Sequence, residues 1–167
     1  MHDELTAVDI KKMQEEIDYR EGELRPKLLA EVQRTREFGD LSENAEYKEA
    51  KREKNHNESR IRYLKNMIAT AKVIKVNQKA DAVCLFDTVD IYIEEDDEVV
   101  SRKIVTTLRQ DALKGVISKE SPLGRALLGH KIGDRICVRV NDSYSYFVEI
   151  RGITKGADDE SLPISSF

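Results

Sequence analysis

Apolar positions in the first part of the chain recur in steps of three and four. One series runs through Ile10, Met13 and Ile17 to Arg20, and a second through Tyr47, Ala50, Lys54, Asn57, Ile61, Leu64, Ile68 and Ala71. Such spacing is a heptad seam, the mark of helices packed along their length. Pairing positions whose numbers sum to 81 sets Ile10 opposite Ala71, Met13 opposite Ile68, Ile17 opposite Leu64 and Arg20 opposite Ile61. The pivot falls between Asp40 and Leu41, which predicts an antiparallel helical hairpin over residues 1–75.

Thr6 is the expected N-cap of the first helix, and Asp9 adds a favourable charge in its first turn. This helix is expected over residues 8–38, with Gly39 as its C-terminal cap. Arg25-Pro26 predicts a kink, because proline lacks the backbone donor and crowds the preceding turn. There the stripe changes to Leu24, Leu28 and Val32, the four-residue step of a stutter. At 1.5 Å per residue the rod is on the order of 45 Å long. The second helix is expected to begin within residues 42–45 and end near Lys72. Ile61, Leu64 and Ile68 predict firm packing near its base, while Lys54 and Asn57 predict weaker packing toward the tip. A polar seam residue can also fix register at a cost in stability.

After residue 76 the pattern changes to short segments of β character, at 82–85, 88–93, 99–108, 135–140 and 144–150. Ser121-Pro122-Leu123-Gly124-Arg125-Ala126-Leu127-Leu128-Gly129 reads as one short helix with Ser at the N-cap, Pro at N1 and Gly at its end. The expected class is therefore α+β: a coiled-coil hairpin over 1–75 and a small antiparallel-sheet domain with one helix over 76–167. The polar tail from Thr154 onward is expected to fray.

Composition narrows the function classes. The chain has 167 residues, 36% of them charged, and no Trp. No apolar run reaches the ~20 residues that span a bilayer, and the N-terminus lacks a signal pattern, so a cytoplasmic protein is expected. Residues 1–75 hold 16 basic and 16 acidic side chains, and residues 76–167 hold 12 and 16. Neither part has the basic excess of a protein that grips nucleic acid unaided. Cys84 and Cys137 are expected to be buried reduced thiols, and the scattered His2, His56 and His130 predict no metal site.

The candidate chemistry lies at the pivot, Gly39-Asp40-Leu41-Ser42-Glu43-Asn44-Ala45-Glu46-Tyr47. Asp40 with Glu43 three residues on has the spacing of a helix-capping box. Two carboxylates at a solvated tip also suit a hard divalent cation, weakly held until a partner adds oxygen ligands. Both readings stand, since one oxygen can cap while another faces a metal. Arg34, Arg36, Lys48, Lys51, Arg52 and Lys54 lie within a few turns and could meet phosphates, or form a solvated face with the interleaved acids.

This tip resembles that of the bacterial Gre transcript-cleavage factors, the GreA branch in particular. Leu5-Thr6, Gln14-Glu15-Glu16, Arg25-Pro26, Arg36-Glu37 and residues 51–53 are similar to the family as well, and the stretch 121–129 resembles its C-terminal signature. Asp9 departs from it, standing where a Gly is common. The resemblance implies an FKBP-like second domain that docks on RNA polymerase and a hairpin that enters the secondary channel. It also implies that Asp40 and Glu43 act on the backtracked RNA 3′ segment as catalytic residues. There they share a weakly held Mg²⁺ with the polymerase, whose own cleavage activity they stimulate. Arg36 and Lys51 match basic positions of the family and are the candidate nucleic-acid contacts. A monomer without a membrane or small-molecule partner, and itself no enzyme, is expected. The alternatives are a Gre-like channel binder that inhibits polymerase and a coiled-coil adaptor without a catalytic role.

Overall fold

The computed structural model describes residues 3–37, 44–158 and 160–166. They divide into one unit within residues 10–71 and another made of 3–9 and 72–166. Residues 3–9 thus belong to the same unit as residues 72–166.

The helical unit follows from the heptads. Helix α1 (Ala7–Tyr19) passes through a π-helical turn (Arg20–Leu24) into α2 (Arg25–Arg36), and α3 (Ala45–Thr70) returns beside them. Met13 and Ile17 on one side and Ile61, Leu64 and Met67 on the other are buried near the base. Beyond the π turn, Leu24, Leu28 and Val32 are only half-buried, and Ala50 is the buried apolar residue of the facing part of α3. Packing therefore weakens along the hairpin, as the two seams predict.

Two details of the seam differ from expectation. The interruption expected at Arg25-Pro26 takes the form of a π turn just before it: Arg25 N–H bonds back to the Arg20 carbonyl, and Pro26 falls in the first turn of α2. A proline there forfeits a donor that the restarting ladder can spare. Arg20 also faces Asn57 rather than Ile61. Its Nη1 donates to Asn57 Oδ1 at 2.9 Å, and Asn57 Nδ2 donates to the Arg20 carbonyl at 3.3 Å. Arg60, only 3% exposed, donates Nε and Nη2 to Glu16 at 2.8 and 3.2 Å. Glu16 Oε1 also accepts from Arg20 Nε at 2.8 Å, which joins all four side chains in one polar layer.

In the other unit, strands β3 (Thr88–Ile93), β4 (Glu98–Val105), β5 (Val116–Ser118), β6 (Arg135–Arg139) and β7 (Ser145–Thr154) form a sheet in the order β5-β4-β3-β7-β6. Strand β5 runs parallel to β4, so the sheet is mixed where a purely antiparallel one was expected. The α+β class stands. Strands β1 (Glu4–Leu5) and β2 (Lys72–Val73) make a separate parallel pair. Alternating residues of β3, β6 and β7 enter a core with Phe86, Ile104, Val105 and Leu127 of helix α4 (Pro122–Leu127). Ser121 Oγ accepts from Gly124 N–H at 3.0 Å, the predicted cap. A Cβ at Gly124 would lie 2.2 Å from the Ser118 carbonyl oxygen, so α4 can sit this close to β5 only with glycine there.

Residues 82–85 form a turn and not a strand. Buried Asp87 accepts from Cys84 N–H at 2.8 Å and from Gly156 N–H at 3.0 Å, taking bonds a ladder would have used. Cys84 is buried as expected, but Cys137 is exposed on β6, on the outward phase of the strand. The tail is tied down and does not fray. Asp158 pairs with Arg109, and Ser165 N–H bonds to the Leu108 carbonyl at 2.7 Å.

The Glu16 carboxyl gives the helical unit a predictable pH dependence. Burial alone raises its pKa, but hydrogen bonds from Arg60 and Arg20 outweigh that and hold it below the ordinary value of 4.5. A carboxyl depressed on folding stabilises above its unfolded pKa, and that stability is lost as pH falls through the folded value. Helicity followed by circular dichroism should therefore melt at lower temperature as pH drops below about 4.5, and Glu16→Gln should flatten that dependence.

Candidate functional site

The closed end of the hairpin is built around Asn44. It is the N-cap of α3: its extended backbone (φ −80°, ψ 98°) precedes the first turn, and its Oδ1 accepts from Tyr47 N–H at 3.0 Å. Its Nδ2 donates to the Thr35 carbonyl at 2.8 Å, so one side chain both starts α3 and ties it to the end of α2. Thr35 is buried and its Oγ1 donates to the Glu31 and Val32 carbonyls, each at 3.0 Å. Glu46 in the first turn of α3 favours the positive end of the helix dipole.

Asp40 and Glu43, the expected catalytic and metal-binding residues, lie outside the described residues. The structure still bears on one reading of them. The N-cap that Asp40 was a candidate to supply is Asn44. Asparagine ranks with aspartate and serine at that position, so the signal was present in the sequence but weaker than the box-like spacing of Asp40 and Glu43. Segment 38–43 is thus carried between two helix ends joined through Thr35 and Asn44.

Behind this segment, basic side chains sort into two kinds. Arg34 pairs with Glu31 at 2.5 Å and Glu46 at 3.5 Å, and Arg52 with Glu49 at 3.6 Å. Arg36, Lys48, Lys51 and Lys54 form no ion pair with another described residue. The Arg36 guanidinium carbon lies 6.0 Å from the centre of the Tyr47 ring. The Tyr47 phenol pKa is lowered, chiefly by a hydrogen bond with Arg36 and further by the charges of Lys51 and Lys54. Both expected nucleic-acid contacts, Arg36 and Lys51, are exposed and belong to this group. Tyr47, expected as a seam residue, is half-buried.

Among the described residues no group of three or more His, Cys, Asp or Glu side chains gathers to hold a metal ion. Asp40 and Glu43 alone would supply two carboxylates to an ion such as Mg²⁺, which takes octahedral oxygen ligands. Among the described residues, no helix is long and apolar enough to cross a membrane.

Comparison with known proteins covers nearly the whole chain. Residues 4–73 match the family model described as "Transcription elongation factor, N-terminal", and residues 77–155 match "Transcription elongation factor, GreA/GreB, C-term". Transcription elongation factor GreA of Thermoanaerobacter pseudethanolicus is 42% identical over 137 residues, 81% of this chain and 87% of that protein. The GreA of Leuconostoc mesenteroides is 40% identical over 152 residues, 90% and 95% of the two chains. Among solved structures, GreA factor homolog 1 of Thermus thermophilus is 22% identical with a TM-score of 0.43, covering 93% of this chain and 100% of that one.

The double role of Asn44 is testable. Asn44→Ala removes the cap and the link to Thr35 together, and should cost about 1–2 kcal/mol, the range for loss of an N-cap. Asn44→Asp, which keeps the cap acceptor but not the donor to Thr35, should recover part of that loss in urea denaturation.

Proposed function

This chain belongs to the GreA/GreB family of transcription elongation factors, and we propose that it lends Asp40 and Glu43 to the active centre of RNA polymerase for cleavage of backtracked RNA. The observation that carries this reading is the capping of α3 by Asn44. Helix termination, the ordinary explanation for two acids at such a turn, is already accounted for by another residue.

In this mechanism the α+β unit docks on the polymerase and the hairpin reaches through the secondary channel. Asp40 and Glu43 would hold Mg²⁺ jointly with the polymerase, and the ion would supply Lewis acidity there. The two carboxylates would also orient the attacking water. The new bond forms between water oxygen and phosphorus, and the P–O3′ bond breaks to leave a fresh RNA 3′-hydroxyl from which synthesis resumes. Arg36 and Lys51 meet phosphates of the extruded strand, a role supported by their exposure and lack of acidic partners among the described residues. The chain then acts as a cytoplasmic monomer that is not itself a nuclease.

Asp40→Asn and Glu43→Gln keep size while removing the charge that a metal ligand needs. In stalled, backtracked elongation complexes each should reduce stimulated cleavage by orders of magnitude, with partial rescue by added Mg²⁺ through mass action. Unchanged cleavage by the double variant, with polymerase binding confirmed, would leave the coiled-coil adaptor as the better reading.

A second expectation concerns the free protein. Two carboxylates leave most of the coordination shell to water, so calorimetry on the isolated chain should find Mg²⁺ binding of about millimolar strength or weaker. Tight binding would contradict a shared site.

A further inference from the structure

The half of the hairpin nearest the tip carries one residue more than its heptads allow. Stepping by three and four from Ile10 through Met13, Ile17, Arg20 and Leu24, a strict repeat would next reach Lys27 and later Arg34. Lys27 and Arg34 are exposed, and the side chains turned inward are Leu28 and Thr35, each one position later. The surplus residue is taken up in the π turn Arg20–Leu24, whose bond from Arg25 N–H to the Arg20 carbonyl spans five residues instead of four. Seam and backbone thus place the insertion in the same turn.

Within α1 and α2, Gly22 and Pro26 loosen the ladder near that turn without fixing the residue at which the insertion falls. Gly22 is exposed, and a Cβ built there would meet nothing within 4 Å. On the tip side the helices leave an open groove of about 460 Å³ against Leu24, Leu28, Glu53 and His56, so packing beyond the turn is loose. What singles out the turn is Asn57, 2% exposed, whose Nδ2 donates to the Arg20 carbonyl, the acceptor of the π hydrogen bond. Its Oδ1 accepts from Arg20 Nη1, and Arg20 is held in turn by Glu16, which Arg60 clamps.

We propose that Asn57 is a positioning residue that pins the one-residue insertion at Arg20–Leu24 and so fixes the rotational phase in which α2 carries its end of the acidic tip. Moving a π turn along a helix rotates every residue it passes by about 100°, the angle per residue of a 3.6-residue helix. An insertion that migrated past Leu28 would expose that residue and turn Lys27 inward, and one that ran on past Arg36 would take the end of α2 out of its register with Tyr47. A buried Asn in a coiled coil commonly trades stability for a single register. Here it selects where an irregularity sits. The consequence for cleavage rests on the function proposed above, whereas the effect on register does not.

The test uses the full chain with Cys84→Ala and Cys137→Ser, spin-labelled at Lys27 and Asn55, two exposed positions on facing helices. The parent should show one narrow label-to-label distance, and Asn57→Leu should broaden or split it while leaving helicity undiminished. Stimulated cleavage at saturating protein should fall by roughly ten- to a hundredfold, the scale of an ångström-level misplacement, with the half-saturating concentration unchanged. Deleting Gly22 in the Asn57→Leu background removes the insertion that Asn57 pins, and should restore a single narrow distance and raise cleavage again. A single unaltered distance in Asn57→Leu overturns the proposal, as does a loss that the deletion fails to repair. If no variant stimulates cleavage, nor the parent, the proposed function has failed and the distances still decide the role of Asn57.

Discussion

A polar layer of four side chains, Asn57 and Arg60 buried and Glu16 and Arg20 half-buried, determines which residue of the hairpin faces which. Glu16 accepts from Arg20 and Arg60, Arg20 from its side donates to Asn57, and Asn57 returns a bond to the Arg20 backbone. A layer of leucines would pack there with less desolvation, and replacing buried ion pairs with apolar residues often stabilises a protein. Apolar seams, however, tolerate sliding, and a sliding hairpin could not present its tip in one place. Once this layer is set, the pairing beyond it follows. Leu24, Leu28 and Val32 take the half-buried positions of their turns, Asn44 reaches the Thr35 carbonyl, and Arg36 comes to lie beside Tyr47.

The α+β unit is organised around a buried charge of its own. Arg109 is fully buried, with Nε 2.6 Å from Asp9, a second partner in Asp158, and its guanidinium 4.7 Å from the centre of the Phe86 ring. One cation therefore joins the N-terminal segment, the sheet domain and the tail. Asp9 also closes a capping box with Thr6, accepting its N–H at 3.0 Å. This gives a physical reason for a carboxylate where the family commonly has glycine: it adds a counter-charge to Arg109 and a cap to α1.

The legible parts of the chain were those set by local periodicity. Heptads reveal the hairpin, alternation reveals β3, β6 and β7, and Ser121-Pro122 with Gly129 reveals α4. Strand β5 escaped because three residues, Val116–Ser118, are too few to show a period, and its parallel pairing with β4 is a tertiary choice. The turn at 82–85 looked like a strand because its residues are apolar. They are buried by a turn closed on the Asp87 carboxylate, a contact that side-chain patterning does not encode. The π turn left a trace in the stripe from Leu24 to Val32, but proline nearby offered the simpler explanation of a kink. At the tip, the motif marks Asp40 and Glu43 as the candidates, while the cap at Asn44 was hidden beside a stronger-looking box.

If the tip carboxylates act only in chemistry and the α+β unit carries binding, removing their charge must turn the protein into a competitor. The most direct measurement titrates the Asp40→Asn/Glu43→Gln double variant against a fixed amount of the parent protein in backtracked elongation complexes and follows the initial rate of RNA cleavage. The variant should suppress stimulated cleavage competitively, with an inhibition constant equal to the parent's own half-saturating concentration. Failure to compete would place the two acids in binding, and cleavage undiminished because the variant itself stimulates would remove them from the reaction.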